Sequence, residues 1–93
     1  MPRPKKNRRI CCNPSSLYFK PRGIPMFDLE EVILEQDELE SLRLADLLSY
    51  SQEKASGEMN VSRATFGRII ESARKKLADA ILNGKAVKIN TQQ

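Results

Sequence analysis

The stretch Asn60-Val61-Ser62-Arg63-Ala64-Thr65-Phe66-Gly67-Arg68-Ile69 decides the fold. Asn is one of the few non-glycine residue types that enter the left-handed backbone region readily, which suits Asn60 to a tight turn. Val61 supplies an apolar side chain to bury beneath that turn. Ser62 has a hydroxyl oxygen that accepts from the free NH groups of a following first helical turn, as an N-cap must. A helix then begins at Arg63. A short helix, a three-residue turn and a capped longer helix together describe a helix-turn-helix.

Working forward, Phe66, Ile69, Ile70, Ala73, Leu77, Ala80 and Ile81 recur at steps of three and four, which lines them along one helical face. Arg63, Arg68, Arg74, Lys75 and Lys76 occupy the other side. Asn83-Gly84 ends the helix, because both residue types accept the left-handed conformation of a C-cap. The helix so predicted runs about five and a half turns. Working backward, Ser51 caps a second helix, Gln52 to Met59, that is too short to stand without packing. Ala55, Ser56 and Met59 are small or apolar where the two helices must approach, while Gly57 costs about 1 kcal/mol relative to Ala. Amphipathic periodicity alone describes any packed helix with a solvated side. The functional signal is the conjunction of two caps, a short turn and two arginines on the first turns of the longer helix.

Upstream, Asp37 is the expected cap of a third helix, with Glu40 three residues on and acids at the positive end of the helix dipole. Leu39, Leu42, Leu44, Ala45, Leu47 and Leu48 carry its apolar positions through Leu48, so one continuous helix is predicted to brace the two that follow. Met26 to Leu34 mixes apolar residues with three acids and fits a helical turn or a short strand; a short helix with Asp28 near its start is favoured. Lys20-Pro21-Arg22-Gly23-Ile24-Pro25 is too heavily punctuated for regular structure and reads as an extended linker. Lys85-Ala86-Val87-Lys88-Ile89 alternates as a half-buried strand does, with Ile10 or the Leu17-to-Phe19 segment as its expected partner. The expected fold is therefore all-α: an irregular basic arm and linker over residues 1–25, a three-helix helix-turn-helix domain over 26–84, and a tail over 85–93 that adds at most a short strand pair.

The chain has 93 residues and a net charge of +4, but the distribution says more than the sum. Residues 1–23 carry +7, residues 24–60 carry −8 and residues 61–93 carry +5. A basic arm and a basic final helix flanking an acidic middle suit a module that turns one face to polyanionic phosphates. No run approaches the roughly 18 consecutive apolar residues of a membrane span. The apolar piece after the arm is too short and polar for a secretory signal, so a cytoplasmic location is expected. Cys11 and Cys12 are then most simply free thiols.

From Asp37 to Leu82 the sequence resembles the region-four DNA-binding module of bacterial sigma factors. The likeness lies in Asp-Glu-Leu-Glu-Ser-Leu-Arg-Leu-Ala at 37–45, Met59-Asn60-Val61-Ser62-Arg63 and Ala73-Arg74-Lys75-Lys76-Leu77. Across nearly its whole length the chain also resembles a small uncharacterised prokaryotic family of predicted DNA-binding proteins. The matching pieces include Met1-Pro2-Arg3-Pro4-Lys5, Tyr18-Phe19-Lys20-Pro21, Gly23-Ile24-Pro25, Leu42-Arg43-Leu44-Ala45-Asp46, Val61 to Ile69 and Asn83-Gly84-Lys85-Ala86. The resemblance implies the fold and a DNA-binding class. Members often carry Cys where this chain has Asn7, so it lends no support to a metal in the arm.

The expected function is sequence-specific binding of double-stranded DNA, as a transcriptional regulator. Residues at the start of a recognition helix face base edges in the major groove; here they are Arg63, Ala64, Gly67 and Arg68. The arginine fork matches the O6 and N7 acceptors of guanine, and Ala64 suits a thymine methyl. Gly67 permits close approach. Ser62, Thr65 and Gln52 are placed for phosphate, and Arg3, Lys5, Lys6, Arg8 and Arg9 of the arm for phosphate or the minor groove. Arg74, Lys75 and Lys76 are assigned to solvent or DNA backbone. A homodimer would set two recognition helices about 34 Å apart. The alternatives are a module that docks on RNA polymerase or another transcription protein through the acidic stretch 28–58, and non-specific nucleic-acid binding. No cofactor or metal is expected: there is no His and no C-x-x-C to complete a zinc set. No nucleophile has an evident base and no Gly-rich phosphate loop is present, so no enzyme is expected either.

Overall fold

A computed structural model of the chain describes residues 17–90. The arm, with Arg3, Lys5, Lys6, Arg8 and Arg9, and the Ile10 segment with Cys11 and Cys12 lie outside the described residues. In order, the elements are β1 (Tyr18–Phe19), a 3-10 turn (Met26–Asp28), β2 (Glu31–Leu34), α1 (Gln36–Leu42), a π-helical turn (Arg43–Leu47), α2 (Gln52–Met59), α3 (Arg63–Asn83) and β3 (Ala86–Ile89). The chain is mostly helical, and its strands form one sheet in the order β1-β3-β2. That is one strand more than the terminal pair the sequence suggests.

The third strand comes from Met26 to Leu34, where a short helix is favoured on sequence. Only Met26–Asp28 turns helically; Glu31–Leu34 is extended and pairs in parallel with β3, Glu31 opposite Ala86 and Leu34 opposite Ile89. The β-branched Val32 and Ile33 suit that pleated, half-buried position. β3 also pairs antiparallel with β1, Tyr18 opposite Lys88 and Phe19 opposite Val87, so the expected Leu17-to-Phe19 pairing is found. Parallel strands need a crossover between them. Here the crossover is the whole three-helix unit, so the sheet clamps the entrance and exit of the helical part.

α1 begins two residues earlier than expected. Glu35, not Asp37, is the N-cap, and the Glu38 carboxylate accepts from the Glu35 backbone NH at 2.8 Å to close a capping box. Asp37 lies buried in the first turn. Nor does one helix continue to Leu48. After Leu42 the backbone widens: the Leu48 NH donates to the Arg43 carbonyl at 2.9 Å, an i to i+5 bond, and the Tyr50 NH donates to the Leu44 carbonyl at 2.9 Å. Leu44 stays buried, whereas Leu47 and Leu48 are lifted out to 75% and 42% exposure. Ser49 then takes a left-handed φ of 61° and turns the chain into α2.

Two apolar clusters meet on α3. Leu44, Ala55, Met59, Phe66, Ile69 and Ile70 form the first, with Tyr50 and Val61 against it. Leu34, Ala73, Ala80, Val87 and Ile89 form the second, with Val32, Leu39 and Leu77. Leu42 packs on both. The predicted apolar face of α3 is therefore observed from Phe66 to Ala80, but Ile81, placed on that face by its spacing, is 77% exposed. It sits at the flank of the stripe, at the edge of a groove it shares with Phe19 and Val87 of the sheet.

Phe66 is fully buried at the centre of the first cluster. Phe66→Ala should lower unfolding free energy by about 3 to 5 kcal/mol, since the cavity would open where three elements meet. Urea denaturation checks this; a loss below about 1 kcal/mol would show that the cluster is not cooperative with the rest.

Candidate nucleic-acid interface

The Asn60–Ser62 turn is built as its residues dictate. Asn60 has φ 59° and ψ 46°, the left-handed C-cap of α2, and the Val61 NH donates to the Ser56 carbonyl at 3.0 Å. Val61 is half-buried against the first cluster. Ser62 is extended at φ −71° and its Oγ accepts from the Thr65 NH at 3.0 Å. The same arrangement caps α2, where Ser51 Oγ accepts from the Lys54 NH at 3.1 Å. Both helices thus start with a satisfied serine cap on the exposed side of the molecule.

The structure brings most of the predicted residues together at the start of α3. Arg63, Ala64 and Arg68 are exposed, Gly67 and Thr65 half-buried. Arg63 has no partner among the described residues. The Arg68 guanidinium makes only a long 3.5 Å contact to Thr65 Oγ1, which also receives a 2.9 Å hydrogen bond from Ser62 Oγ. A Cβ placed on Gly67 would meet nothing within 4 Å. Gln52 is exposed at the first position of α2, one turn before the buried Ala55 and Ser56.

Two of the other three cations on α3 form ion pairs within the chain. Arg74 forms a two-pronged ion pair with Asp46, Nη2 to Oδ1 at 2.7 Å and Nε to Oδ2 at 3.1 Å. These hydrogen bonds hold the Asp46 carboxyl below its ordinary range and raise Arg74 in turn. Lys76 Nζ donates to Glu38 at 2.7 Å and to the Ile33 carbonyl at 2.6 Å, tying α3 to α1 and β2. Lys76 is half-buried and fastens the fold, whereas Arg74, although paired, stays exposed, as does Lys75.

Sequence reasoning missed the network around Glu38. Its carboxylate is buried, and it accepts from Ser72 Oγ, Lys76 Nζ and the Glu35 NH. Burial pushes this carboxyl up, but the three hydrogen bonds outweigh it and hold Glu38 below its ordinary range. The one available signal was Ser72 and Lys76 at i, i+4 spacing on the flank of the apolar stripe. Beside the network runs a groove of about 470 Å³ lined by Glu35, Asp37 and Glu38 from α1 and by Thr65, Arg68 and Ser72 from α3. Arg68 therefore projects at the lip of an acidic groove.

A group whose pKa is lowered on folding contributes stability that is complete above its unfolded value and is lost as pH falls through the folded value. Acid titration of stability should therefore show a loss beginning below the usual glutamate range, and Glu38→Gln should flatten that limb while lowering stability near neutral pH. Equilibrium unfolding as a function of pH checks this. An acid limb unchanged in Glu38→Gln would assign it to other carboxylates.

Fold and site together define a small three-helix module fastened by a three-stranded sheet, with an exposed basic helix start. The chain belongs to the family described as "Protein of unknown function DUF134", which matches residues 1–92. It is 54% identical over 89 residues to a UPF0251 protein of Desulfosudis oleivorans, covering 96% of this chain and 64% of that relative. A UPF0251 protein of Caldanaerobacter subterraneus is 55% identical over 89 residues, of which the chain spans 75%, and one of Prosthecochloris aestuarii is 55% identical over 87 residues, of which it spans 56%. The chain thus spans between about half and three quarters of these relatives' lengths. No solved structure matches the chain. Among the described residues, no helix is long and apolar enough to cross a membrane.

Proposed function

We propose that the chain binds double-stranded DNA sequence-specifically, as a transcriptional regulator, with α2, the Asn60–Ser62 turn and α3 acting as a helix-turn-helix of the sigma region-four kind. The observation that carries this reading is the outer surface of the first two turns of α3. Arg63, Ala64 and Arg68 face outward there beside Gly67, whose missing side chain leaves space that nothing among the described residues fills. Arg63 and Arg68 read guanine through their forks, and Ala64 meets a thymine methyl. Thr65 keeps its hydroxyl proton for a phosphate, because its oxygen accepts from both Ser62 and Arg68. Gln52 and the NH groups at the start of α3 make further phosphate contacts. The arm supplies Arg3, Lys5, Lys6, Arg8 and Arg9 for the backbone or minor groove.

The competing reading, docking on RNA polymerase or another transcription protein through the acidic stretch, has less surface to work with. Asp37, Glu38 and Glu40 are buried and Asp46 is held by Arg74. Selection of bound sequences from a random duplex pool at two salt concentrations separates the readings. An enriched motif supports specific regulation. Binding without enrichment, lost steeply with salt, reduces the protein to phosphate binding, and no binding at either salt abandons the DNA reading.

Arg63→Ala or Arg68→Ala should cost about 1 to 3 kcal/mol at the selected site and relax one base position. Changing Lys5 and Lys6 should weaken binding to every sequence and flatten its salt dependence. Gly67→Gln separates binding from folding, because the two effects have opposite signs. The fold should gain about 0.5 to 1 kcal/mol from better helix propensity, while affinity falls about tenfold or more as the side chain blocks approach. Thermal melts and binding isotherms on the same preparation check both halves; undiminished affinity would remove Gly67 from the interface.

A further inference from the structure

The outward surface of α3 interrupts its bases with an acid, Glu71. At about 100° per residue, Gly67, Glu71, Ala64 and Arg68 follow Arg63 round the helix at about 40°, 80°, 100° and 140°. The buried Phe66, Ile69, Ile70 and Ala73 hold the other side. Glu71 therefore lies inside the arc spanned by Arg63 and Arg68, one turn beyond Gly67 and about 6 Å further along the helix. It is exposed. Three cations stand within about one turn of it, Arg68 before it and Arg74 and Lys75 after it. Arg74 is taken by Asp46, and the Glu71 carboxylate forms no hydrogen bond or ion pair with Arg68, Lys75 or any other described residue.

We propose that Glu71 is a specificity-determining residue of the same interface, its carboxylate accepting from the N4 amino group of a cytosine in the major groove; this rests on the DNA reading. A carboxylate turned toward a duplex repels the phosphates, so on a DNA-facing arc it weakens binding to every sequence unless a base donor meets it. The major groove offers two such donors, N4 of cytosine and N6 of adenine. Adenine N6 stands beside N7, an acceptor that repels a carboxylate, whereas cytosine presents its amino group without an acceptor on the same base edge. Glu71 thus supplies what the arginines lack. Arg63 and Arg68 are donors only and match the acceptors of guanine. An acceptor one turn later recognises the complementary pattern and penalises sequences that do not provide it.

Selection from a random duplex pool with wild type, Glu71→Gln and Glu71→Ala tests the assignment. Both variants should keep the wild-type melting temperature, because the side chain is exposed and holds nothing in the fold. Wild type should enrich a cytosine within about two base pairs of the position that Arg68→Ala relaxes. Glu71→Gln should move the preference there to adenine, whose N6 and N7 fit an amide. Glu71→Ala should accept all four bases at that position, with affinity for the wild-type site down about tenfold. A motif unchanged in both variants overturns the proposal. So does a Glu71→Ala protein that binds every sequence more tightly, which sets the carboxylate against phosphate. Either result leaves the Arg63 and Arg68 positions, and with them the DNA reading, standing. A wild type that enriches no motif instead ends the sequence-specific reading and takes this assignment with it.

Discussion

The burial of one face of α3 is the constraint on which the remaining structure depends. Phe66, Ile69 and Ile70 cover α2 and the π-helical turn, and Ala73 and Ala80 lie against the sheet. α2 has eight residues, β1 two, and β2 and β3 four each. None of these would persist alone in water, because so short a helix cannot recover the entropy of its nucleus and an isolated strand pair is marginal. Each is stabilised by lying on a 21-residue helix that presents apolar side chains along most of its length. Ala55 and Met59 of α2 share one buried cluster with Phe66 of α3, and the left-handed Asn60 makes the turn between the two helices.

Charge is used in two separate ways. Lys76 with Glu38, Arg74 with Asp46, and Lys85 with Glu30 join elements distant in sequence, Lys85 also meets Asp79 six residues back, and Arg43 clasps the buried Glu40 one turn back. The exposed pairs add little stability. Glu38 is different, since it is buried, and without Lys76 and Ser72 its charge would be unsupported. The cations these pairs leave over on α3 are concentrated at its start. Forming no ion pair among the described residues, rather than being merely basic, distinguishes Arg63 and Arg68 from Arg74 and Lys76.

Much of the helical part was legible because local chemistry and tertiary packing agree there. Ser51, Asn60, Ser62 and Gly84 are read as caps and act as caps, and Phe66 to Ala80 are read as core and are buried. Where sequence reasoning failed, a distant partner decided. Glu31–Leu34 has no local signal strong enough to choose strand over helix; its choice is made by β3, more than fifty residues later in the chain. The Glu35 cap depends on the reciprocal bond from Glu38, against the usual preference for Ser, Thr, Asp or Asn. The widening after Leu42 follows no rule of spacing, because an i to i+5 bond leaves the apolar pattern intact while rotating Leu47 and Leu48 outward. At the candidate site, positions on the helix were predictable, but the engagement of Arg74 and Lys76 was not, since Asp46 and Glu38 lie 28 and 38 residues away.

Glycine gives the remaining argument about function. In the interior of an exposed helical face, Gly lowers helix stability by about 1 kcal/mol relative to Ala, and a protein keeps it there where something needs the space. Neither Gly57 in α2 nor Gly67 in α3 is required by the fold: both have negative φ, and a Cβ on either would touch nothing. The two lie on the helices that flank the Asn60–Ser62 turn, the second between Arg63 and Arg68. Local rules are broken most often at functional sites. Exposed Gly57 and half-buried Gly67 thus leave open space over the backbones of α2 and α3. Under the proposed function, the open backbone at Gly67, between Arg63 and Arg68, is where a nucleic acid would come closest to α3.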